Sequence, residues 1–322
     1  MRRLTQCLKT MSIFCALLSC AANARAADQP VTDEVQGARD PSARLTVPVE
    51  INGGGPYHFV VDTGAERTVI SRELADRLTL APAGAVTLLS ISGLDQVETA
   101  LVPDLKLTSS RSRLSDLQAP VLSELNLGAV GMLGIDSLQT KRVVMDFHAM
   151  HMSISDASRP AVRDENEIIV TARRRLGQLI LVDADVNGQK VSVIIDTGSA
   201  VTMGNPMLRA RLLERNRLGL SSPISIMSVT GTETLADYTS IRRIRIGGVT
   251  MTDMPIAFAD LQIFHRLGLT GKPALLLGMD ALRLFDRVSI DFANRNVRFI
   301  LKGNSLRSPA PMLAGSTLPR VG

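Results

Sequence analysis

The chain has 322 residues, of which 45% are hydrophobic and 21% are charged, and its formal net charge is +5. This length suffices for two domains of ordinary size, and the composition is that of a soluble globular protein. Aromatic residues are scarce, with no Trp, two Tyr and eight Phe, so we expect no aromatic-rich surface for nucleic acid.

The first 26 residues are predicted to be an export signal. Basic residues precede an apolar stretch at 11–22, and Ala24-Arg25-Ala26 offers the small residues that a signal peptidase reads. The apolar stretch has about half of the ~20 residues that a membrane-spanning helix needs. We therefore expect cleavage after Ala26, a periplasmic or secreted location and no membrane span.

The same segment leaves one alternative open, a lipid anchor. Residues 17–20, Leu-Leu-Ser-Cys, resemble a lipobox with Cys20 as the lipidated residue. The other cysteines, Cys7 and Cys15, also lie in this segment, so the mature chain is expected to have no disulfide. Four of the 36 basic residues lie there as well, which leaves the remainder close to neutral and argues against nucleic acid or an anionic membrane as partner.

Residues 44–71 and 178–205 repeat one pattern. In each, an alternating apolar run meets Asn-Gly, and a second apolar run ends in Asp-Thr-Gly. Asn-Gly between two such runs is the strongest short signal for a β-hairpin. Three further landmarks follow in the same order: Ser90-Ile91-Ser92-Gly93 with Ser228-Val229-Thr230-Gly231, Met132-Leu133-Gly134-Ile135-Asp136 with Leu276-Leu277-Gly278-Met279-Asp280, and Val144-Met145-Asp146-Phe147 with Ser289-Ile290-Asp291-Phe292.

The repeat predicts two copies of one mainly β fold, with few short helices. The first lobe is expected at 40–154 and the second at 178–301. Ser71 and Asn205 are predicted to cap two of the short helices.

Residues 155–177 are predicted to link the lobes, and 302–322 to form a disordered tail. Within the linker, 167–175 resembles a TonB box. The alternative is an extended segment that leads into the second lobe with its arginines in solvent.

Asp62 and Asp196 are the candidate catalytic residues. Each follows an apolar run, so each carboxylate is delivered at the end of a buried strand, where it is costly unless it is paired and hydrogen-bonded. If the copies pack about a pseudo-twofold axis, the two carboxyl groups meet and share one proton. Such a pair can activate a water and protonate a scissile carbonyl oxygen.

The residues after each aspartate are predicted to support this dyad. Gly64 and Gly198 allow a tight turn with amides directed at the carboxylates, and Thr63 and Thr197 can hydrogen-bond across the interface between the lobes. The fourth motif position differs between the copies, with Ala65 in the first and Ser199 in the second. If the Ser199 hydroxyl donates to its carboxylate, Asp196 is the ionised member and Asp62 holds the proton.

Other polar candidates receive structural interpretations. Asp136 and Asp280 are predicted to be helix N-caps. His148 and His151 lie three apart in a strand-like run, so they point to opposite faces and do not form a metal site. The sequence contains no HExxH, phosphate-loop or Gly-x-Ser-x-Gly motif.

The doubled motif resembles that of the aspartic peptidases. Asp-Thr-Gly-Ala at 62–65 and Asp-Thr-Gly-Ser at 196–199 are each followed later by two apolar residues and Gly, and each half is similar to a bacterial retropepsin-like domain. The resemblance implies the bilobal acid protease fold, catalytic motif aspartates and a grip formed by the threonines. It also implies flap hairpins over the substrate, with Gly93 and Gly231 as flap residues.

These features together predict an aspartic endopeptidase that acts on a peptide or protein without a cofactor, with both aspartates in one monomer. Pairing of lobes between chains is an architectural alternative. The functional alternative is an exported peptide-binding or interaction module that keeps the fold without turnover.

Overall fold

The computed structural model describes residues 32–111, 113–138, 140–157, 167–301 and the backbone of 312–314. The predicted export signal, including Cys20, lies outside these residues, as does most of the predicted tail. Among the described residues, no helix combines the length and the hydropathy that a membrane crossing requires.

Strands dominate both halves of the chain. The first half contains β1 (Asp33–Gln36), β2 (Ala38–Arg39), β3 (Leu45–Ile51), β4 (Gly54–Val61), β5 (Val69–Ser71), β6 (Pro82–Leu89), β7 (Leu94–Leu107), β8 (Arg113–Leu122), β9 (Gly131–Leu133), β10 (Lys141–Asp146) and β11 (His151–Asp156). The second half contains β12 (Glu167–Arg175), β13 (Gln178–Leu181), β14 (Ala184–Val186), β15 (Gln189–Lys190), β16 (Ser192–Ile195), β17 (Met203–Gly204), β18 (Ser222–Met227), β19 (Glu233–Ile246), β20 (Val249–Phe258), β21 (Ala274–Leu277), β22 (Arg287–Asp291), β23 (Asn296–Ile300) and β24 (Met312–Ala314).

The helices are few and short, as the sequence predicted. They are α1 (Arg72–Arg77), α2 (Glu124–Leu127), a 3-10 turn (Ile135–Ser137), α3 (Pro206–Glu214), α4 (Gln262–Arg266) and α5 (Met279–Leu282). Both predicted caps are confirmed: the Ser71 hydroxyl accepts from the backbone N–H of Leu74, and the Asn205 side chain accepts from that of Leu208. Each cap satisfies a donor that the first turn of its helix leaves free.

The two predicted Asn-Gly hairpins are also confirmed. They connect β3 to β4 and β14 to β15. Asn52 and Gly53 have φ of 52° and 75°, and Asn187 and Gly188 have φ of 48° and 77°. Two successive positive φ values are what a tight two-residue hairpin turn requires, and Asn-Gly adopts them at low cost.

Each half repeats one strand arrangement around its Asp-Thr-Gly motif. In the first, β4 runs parallel to β9, which is antiparallel to β5. In the second, β16 runs parallel to β21, which is antiparallel to β17. The first lobe is an eight-stranded sheet in the order β2-β3-β4-β9-β5-β8-β7-β6. The molecule is therefore mainly β and bilobal, with two lobes of matching topology.

A sheet shared by both halves joins the lobes. Its strands run in the order β1-β11-β10-β22-β23-β12, and it continues into the second lobe through β13. The joint is the antiparallel pairing of β10 with β22, where Arg142 lies opposite Asp291. The Arg142 guanidinium donates to Asp291 Oδ2 at 2.9 and 2.8 Å, and both side chains are buried.

The segment 167–175, predicted as part of a linker, is instead the strand β12. Its residues 167–171 pair antiparallel with β23, and its residues 172–175 pair antiparallel with β13. Val170 and Ala172 are buried, whereas Ile169, which directly precedes Val170, is 45% exposed. The strand leads into the second lobe with its arginines exposed, as the alternative interpretation of this segment expects. The resemblance to a TonB box receives no support.

Two small apolar clusters lie beside the main core, one in each lobe. The first-lobe cluster consists of Val69, Leu122, Leu127 and Met132. The second-lobe cluster consists of Ile180, Ile194, Met203, Ala236, Ala257, Ala259, Leu261, Phe264, Leu267, Leu269, Ala274 and Leu276. Both clusters include side chains from strands that flank an Asp-Thr-Gly motif, so the clusters border the region between the lobes.

Candidate active site

Asp62 and Asp196 each follow the last residue of a buried strand, β4 and β16. Their backbone N–H groups donate to Leu133 O at 3.0 Å and to Leu277 O at 3.1 Å. The parallel neighbour of each strand thus fixes the position of each aspartate. This explains why the two apolar residues and Gly recur downstream of each motif.

Backbone amides cradle both carboxylates. Asp62 Oδ1 accepts from the N–H of Gly64 at 2.7 Å and of Ala65 at 3.1 Å. Asp196 Oδ1 accepts from the N–H of Gly198 at 2.9 Å and of Ser199 at 3.2 Å. Amide donors stabilise the ionised form of a carboxyl group, so these loops offset part of the cost of burial.

The two loops face each other closely. A Cβ atom placed on Gly64 would stand 2.7 Å from Asp196 Cγ, and one on Gly198 would stand 2.3 Å from Asp62 Cγ. Each glycine therefore packs against the carboxyl group of the other motif. The two carboxyl groups are therefore neighbours across the interface between the loops.

Thr63 and Thr197 exchange hydrogen bonds between the loops. The Thr63 N–H donates to Thr197 Oγ1 at 3.0 Å, and the Thr197 N–H donates to Thr63 Oγ1 at 3.2 Å. Their hydroxyls donate onward to Ile195 O at 3.0 Å and Val61 O at 2.6 Å. The structure thus brings the two threonines into the reciprocal contact that was predicted, with both side chains buried.

The pKa of each of the two aspartates is raised above its usual value. Burial is the main cause for Asp62, which is 8% exposed, and its amide donors oppose the change. Burial is also the main cause for Asp196, and the nearby charge of Asp62 raises the pKa of Asp196 further. Two carboxyl groups so close cannot both ionise, so the pair holds one shared proton.

The contact on which the Ser199 hypothesis depends is not formed. The Ser199 hydroxyl donates to Val201 O at 2.9 Å rather than to the Asp196 carboxylate. Ser199 therefore gives no reason for Asp196 to be the ionised member of the pair. The Ser199 hydroxyl donates to the backbone carbonyl of Val201 instead of to the carboxylate.

Asp136 and Asp280 are structural residues but not the predicted N-caps, because Gly134 and Gly278 occupy the cap positions. Asp136 accepts from Thr68 N and Oγ1, both at 2.8 Å. Asp280 makes the matching contacts with Thr202, at 2.9 and 2.6 Å. Burial raises the pKa of Asp280, and the hydrogen bonds from Thr202 oppose that rise.

The threonines Thr68 and Thr202 were missed in the sequence, although both lie six residues after a motif aspartate. Their hydroxyls accept from the N–H of Gly134 at 3.1 Å and of Gly278 at 3.2 Å. Each therefore ties the end of a motif loop to the strand that positions its aspartate.

Gly93 and Gly231 lie at the turns of two hairpins, β6–β7 and β18–β19. Gly231 has φ of 87°, a conformation that favours glycine. The turns meet, with Thr230 Oγ1 3.4 Å from Ser90 Oγ. We call these turns, residues 90–93 and 228–232, the two hairpin tips.

Each hairpin tip packs against the opposite lobe. Ile91 of the first tip packs on the second-lobe cluster, and its carbonyl accepts from Gln262 N at 3.2 Å. Val229 of the second tip packs on the first-lobe cluster. A Cβ on Gly231 would lie 2.8 Å from the Asn126 side chain. The tips are thus crossed, and each bridges both lobes.

Charged contacts between the lobes were not foreseen. Glu66 accepts from Arg266 at two points, Nε and Nη2, each 2.8 Å from a carboxylate oxygen. Among the described residues, no group of three or more His, Cys, Asp or Glu side chains is placed to hold a metal ion.

Comparison with known proteins gives a family match across both lobes. The sequence model of a family described as "Aspartyl protease" matches residues 47–137 and 182–281. A search of curated proteins gave no significant match. Among solved structures, the chain is similar to a retropepsin-like aspartic protease from Rickettsia conorii, with 21% identity and a TM-score of 0.30. That alignment covers 42% of this chain and 90% of the other.

Proposed function

Because the chain belongs to the aspartyl protease family, we propose that it is an aspartic endopeptidase whose two lobes supply one catalytic aspartate each. The observation that carries the proposal is the close packing of the two motif loops, in which Asp62 and Asp196 stand at matching positions of the repeat and each lies against the glycine of the other motif. A pair of buried carboxyl groups with one proton has a base and an acid in a single site.

In the proposed reaction, ionised Asp62 accepts a proton from a water molecule held between the carboxyl groups. The water oxygen attacks the scissile carbonyl carbon while protonated Asp196 donates to the carbonyl oxygen. The resulting gem-diol collapses as the C–N bond breaks and the proton on Asp62 passes to the leaving nitrogen. The gem-diol returns the other proton to Asp196, so the dyad regains its starting state.

The amide cradles and the threonine exchange serve this reaction by holding both carboxyl groups in place before substrate arrives. The hairpin tips are proposed to fold over a bound peptide as flaps, which places Gly93 and Gly231 at the cover of the site. The substrate is a peptide or protein, and no cofactor takes part in the steps above. We also propose that the protein is exported, on the basis of residues 1–26, with lipidation at Cys20 as the alternative to a free form.

The proposal is tested with Asp62→Asn and Asp196→Asn, assayed on a peptide library from acid to neutral pH. We expect each variant to lose about 10³-fold or more of kcat/KM, because each removes one of the two proton-transfer groups. Asp253→Asn, on the exposed surface of β20, is the matched control and should retain wild-type activity.

Two outcomes would contradict parts of the proposal. Turnover that survives in either dyad variant would exclude the shared mechanism, and a folded wild type that binds peptides without cleaving them would support the binding module. Mixing the two inactive variants tests the architecture. Recovered activity would mean that aspartates from different chains pair, whereas we expect none, because both belong to one monomer.

A further inference from the structure

Arg44 and Gln178 occupy matching positions in the repeat. They are the first residues of the two matched segments, and each precedes its motif aspartate by the same number of residues. Both are buried, at 7% and 2% exposure. The lobes therefore place a cation and a neutral amide at one structural position.

Both side chains make the same contact with the opposite lobe. Gln178 Nε2 donates to Gly64 O at 2.9 Å, and Arg44 Nη1 donates to Gly198 O at 3.5 Å. Since Gly198 packs directly against the Asp62 carboxyl group, the guanidinium lies just behind the backbone that touches Asp62. The matching amide of Gln178 lies behind the backbone that touches Asp196.

The guanidinium is fixed in this place. Arg44 Nη2 donates to Leu127 O at 2.8 Å, and Nε donates to Asp40 Oδ2 at 2.7 Å. Asp40 Oδ1 also accepts from the Arg44 backbone N–H at 2.7 Å. Asp40 offsets part of the positive charge from the Nε side, while Nη1 faces the motif loop.

The remaining charged groups near the loops do not account for a difference between the aspartates. Asp136 and Asp280 stand at matching positions and make matching contacts. Glu66 is neutralised by its two-point ion pair with Arg266. Arg67 is exposed, so solvent screens its field.

We propose that Arg44 is a positioning residue that makes the dyad unequal: its charge favours ionised Asp62, and neutral Gln178 in the matching place leaves the shared proton on Asp196. The pKa directions agree, because Arg44 acts to lower the pKa of Asp62, whereas that of Asp196 is raised well above its usual range. The inference rests on the proposed function only where catalysis is the readout.

The test uses two variants with opposite expected signs. Arg44→Gln combined with Asp40→Asn makes this position of the first lobe neutral, as it is in the second lobe. Ionisation of Asp62 then becomes harder, so the acid limb of the pH profile of kcat/KM moves to higher pH by about half a unit. Asp40→Asn alone leaves the cation without its counter-ion, so the acid limb moves to lower pH. Arg44→Lys should stay close to wild type, because it keeps the charge.

The controls separate charge from contact and separate this inference from the proposed function. Gln178→Met removes the matching hydrogen bond without changing charge and should leave the acid limb in place. Carbon-13 titration of labelled aspartate carboxyl groups by NMR reports the protonation order without turnover, and it should show the gap between Asp62 and Asp196 narrowing in the double variant.

The proposal would be overturned if the two variants moved the acid limb in the same direction, or if neither moved it. It would also be overturned if Arg44→Lys behaved as the neutral double variant does. If the double variant does not fold, Asp40→Asn alone still tests the proposal. An unmoved acid limb and an unchanged order of protonation by NMR in that variant would exclude an effect of the Arg44 charge on the dyad. If the wild type showed no turnover but the NMR titrations shifted as expected, the proposed peptidase activity would be rejected and the inference about Arg44 would stand.

Discussion

At the residue scale, the two motif glycines carry a requirement that goes beyond turning the chain. Gly64 and Gly198 each leave room for the carboxyl group of the opposite motif, at distances that no Cβ atom tolerates. Their backbone φ values are not in the left-handed region. The need for glycine here therefore comes from contact between the lobes rather than from local backbone conformation.

We predict that Gly64→Ala or Gly198→Ala separates the dyad and destabilises the protein by about 1–3 kcal/mol, because the added methyl group overpacks the interface. Gly271 is the matched control, since a Cβ there meets no atom within 4 Å. Chemical denaturation measures the effect. A Gly198→Ala variant as stable and as active as Gly271→Ala would show that the loops can separate without cost.

Sequence reasoning at this scale succeeded for the residues of the two Asp-Thr-Gly motifs. It failed for the two predicted aspartate N-caps and where one side chain had to choose between partners. The Asp and Thr pairs lie together as their placement indicated. The Ser199 hydroxyl could reach either its carboxylate or Val201 O, and only the loop conformation decides between them. The Arg44 and Gln178 pair was visible at the heads of the matched segments, but its cross-lobe contacts depend on packing that spacing does not encode.

At the scale of elements, β12 shows how pairing decides what local pattern leaves open. Its charged end, Arg173–Arg175, suggested a solvated linker. Its alternation of buried Val170 and Ala172 with exposed Ile169 is that of a strand with one face on the core. Its partner β13 follows directly in the sequence, whereas its partner β23 lies far along the chain. The strand therefore could not be assigned from its own residues.

We predict that Val170→Ala destabilises the protein by about 2 kcal/mol, because it removes buried methyl groups and leaves a cavity in the core. Ile169→Ala, one residue away on the exposed face, should cost less than about 1 kcal/mol. Urea denaturation of both variants checks this. Equal effects would mean that β12 contributes no inward face, as expected of a linker.

At the scale of the whole molecule, the repeat predicted two lobes and a mainly β fold, whereas the sheet that joins them was not foreseen. Its central pairing, β10 with β22, connects strands that the sequence analysis matched only as equivalents. The lobes meet at the dyad, so the stability of the whole chain is linked to the protonation of two carboxyl groups.

The direction of that linkage follows from the raised pKa values. A carboxyl group whose pKa is higher in the folded state binds its proton more tightly there than in the unfolded chain, where the value is about 3.9. The stabilisation is fully present below that unfolded pKa and is lost as the pH rises through the folded pKa. Asp62 and Asp196 therefore stabilise the fold in acid and progressively less toward neutral pH.

We predict that Asp196→Asn gains stability relative to wild type as the pH rises from about 4 to 7, because the amide keeps a neutral partner for Asp62 at every pH. The difference in Tm between the two proteins, measured by calorimetry across this range, should increase with pH. A difference that stayed constant or decreased would mean that the dyad is not held in a state of raised pKa.

The crossed hairpin tips bear on how tightly such a molecule can hold a ligand. Ile91 and Val229 pack on the apolar clusters of the opposite lobes. If the tips act as the proposed flaps, a peptide that enters beneath them must first displace these two side chains. Only the fraction of molecules with open tips is competent to bind, and the apparent Kd equals the intrinsic Kd divided by that fraction. Each ~1.4 kcal/mol by which the closed tips are more stable than the open tips weakens apparent binding about tenfold. Polar replacements at these two residues would thus strengthen capture of peptides by enlarging the open population, without touching any residue of the dyad.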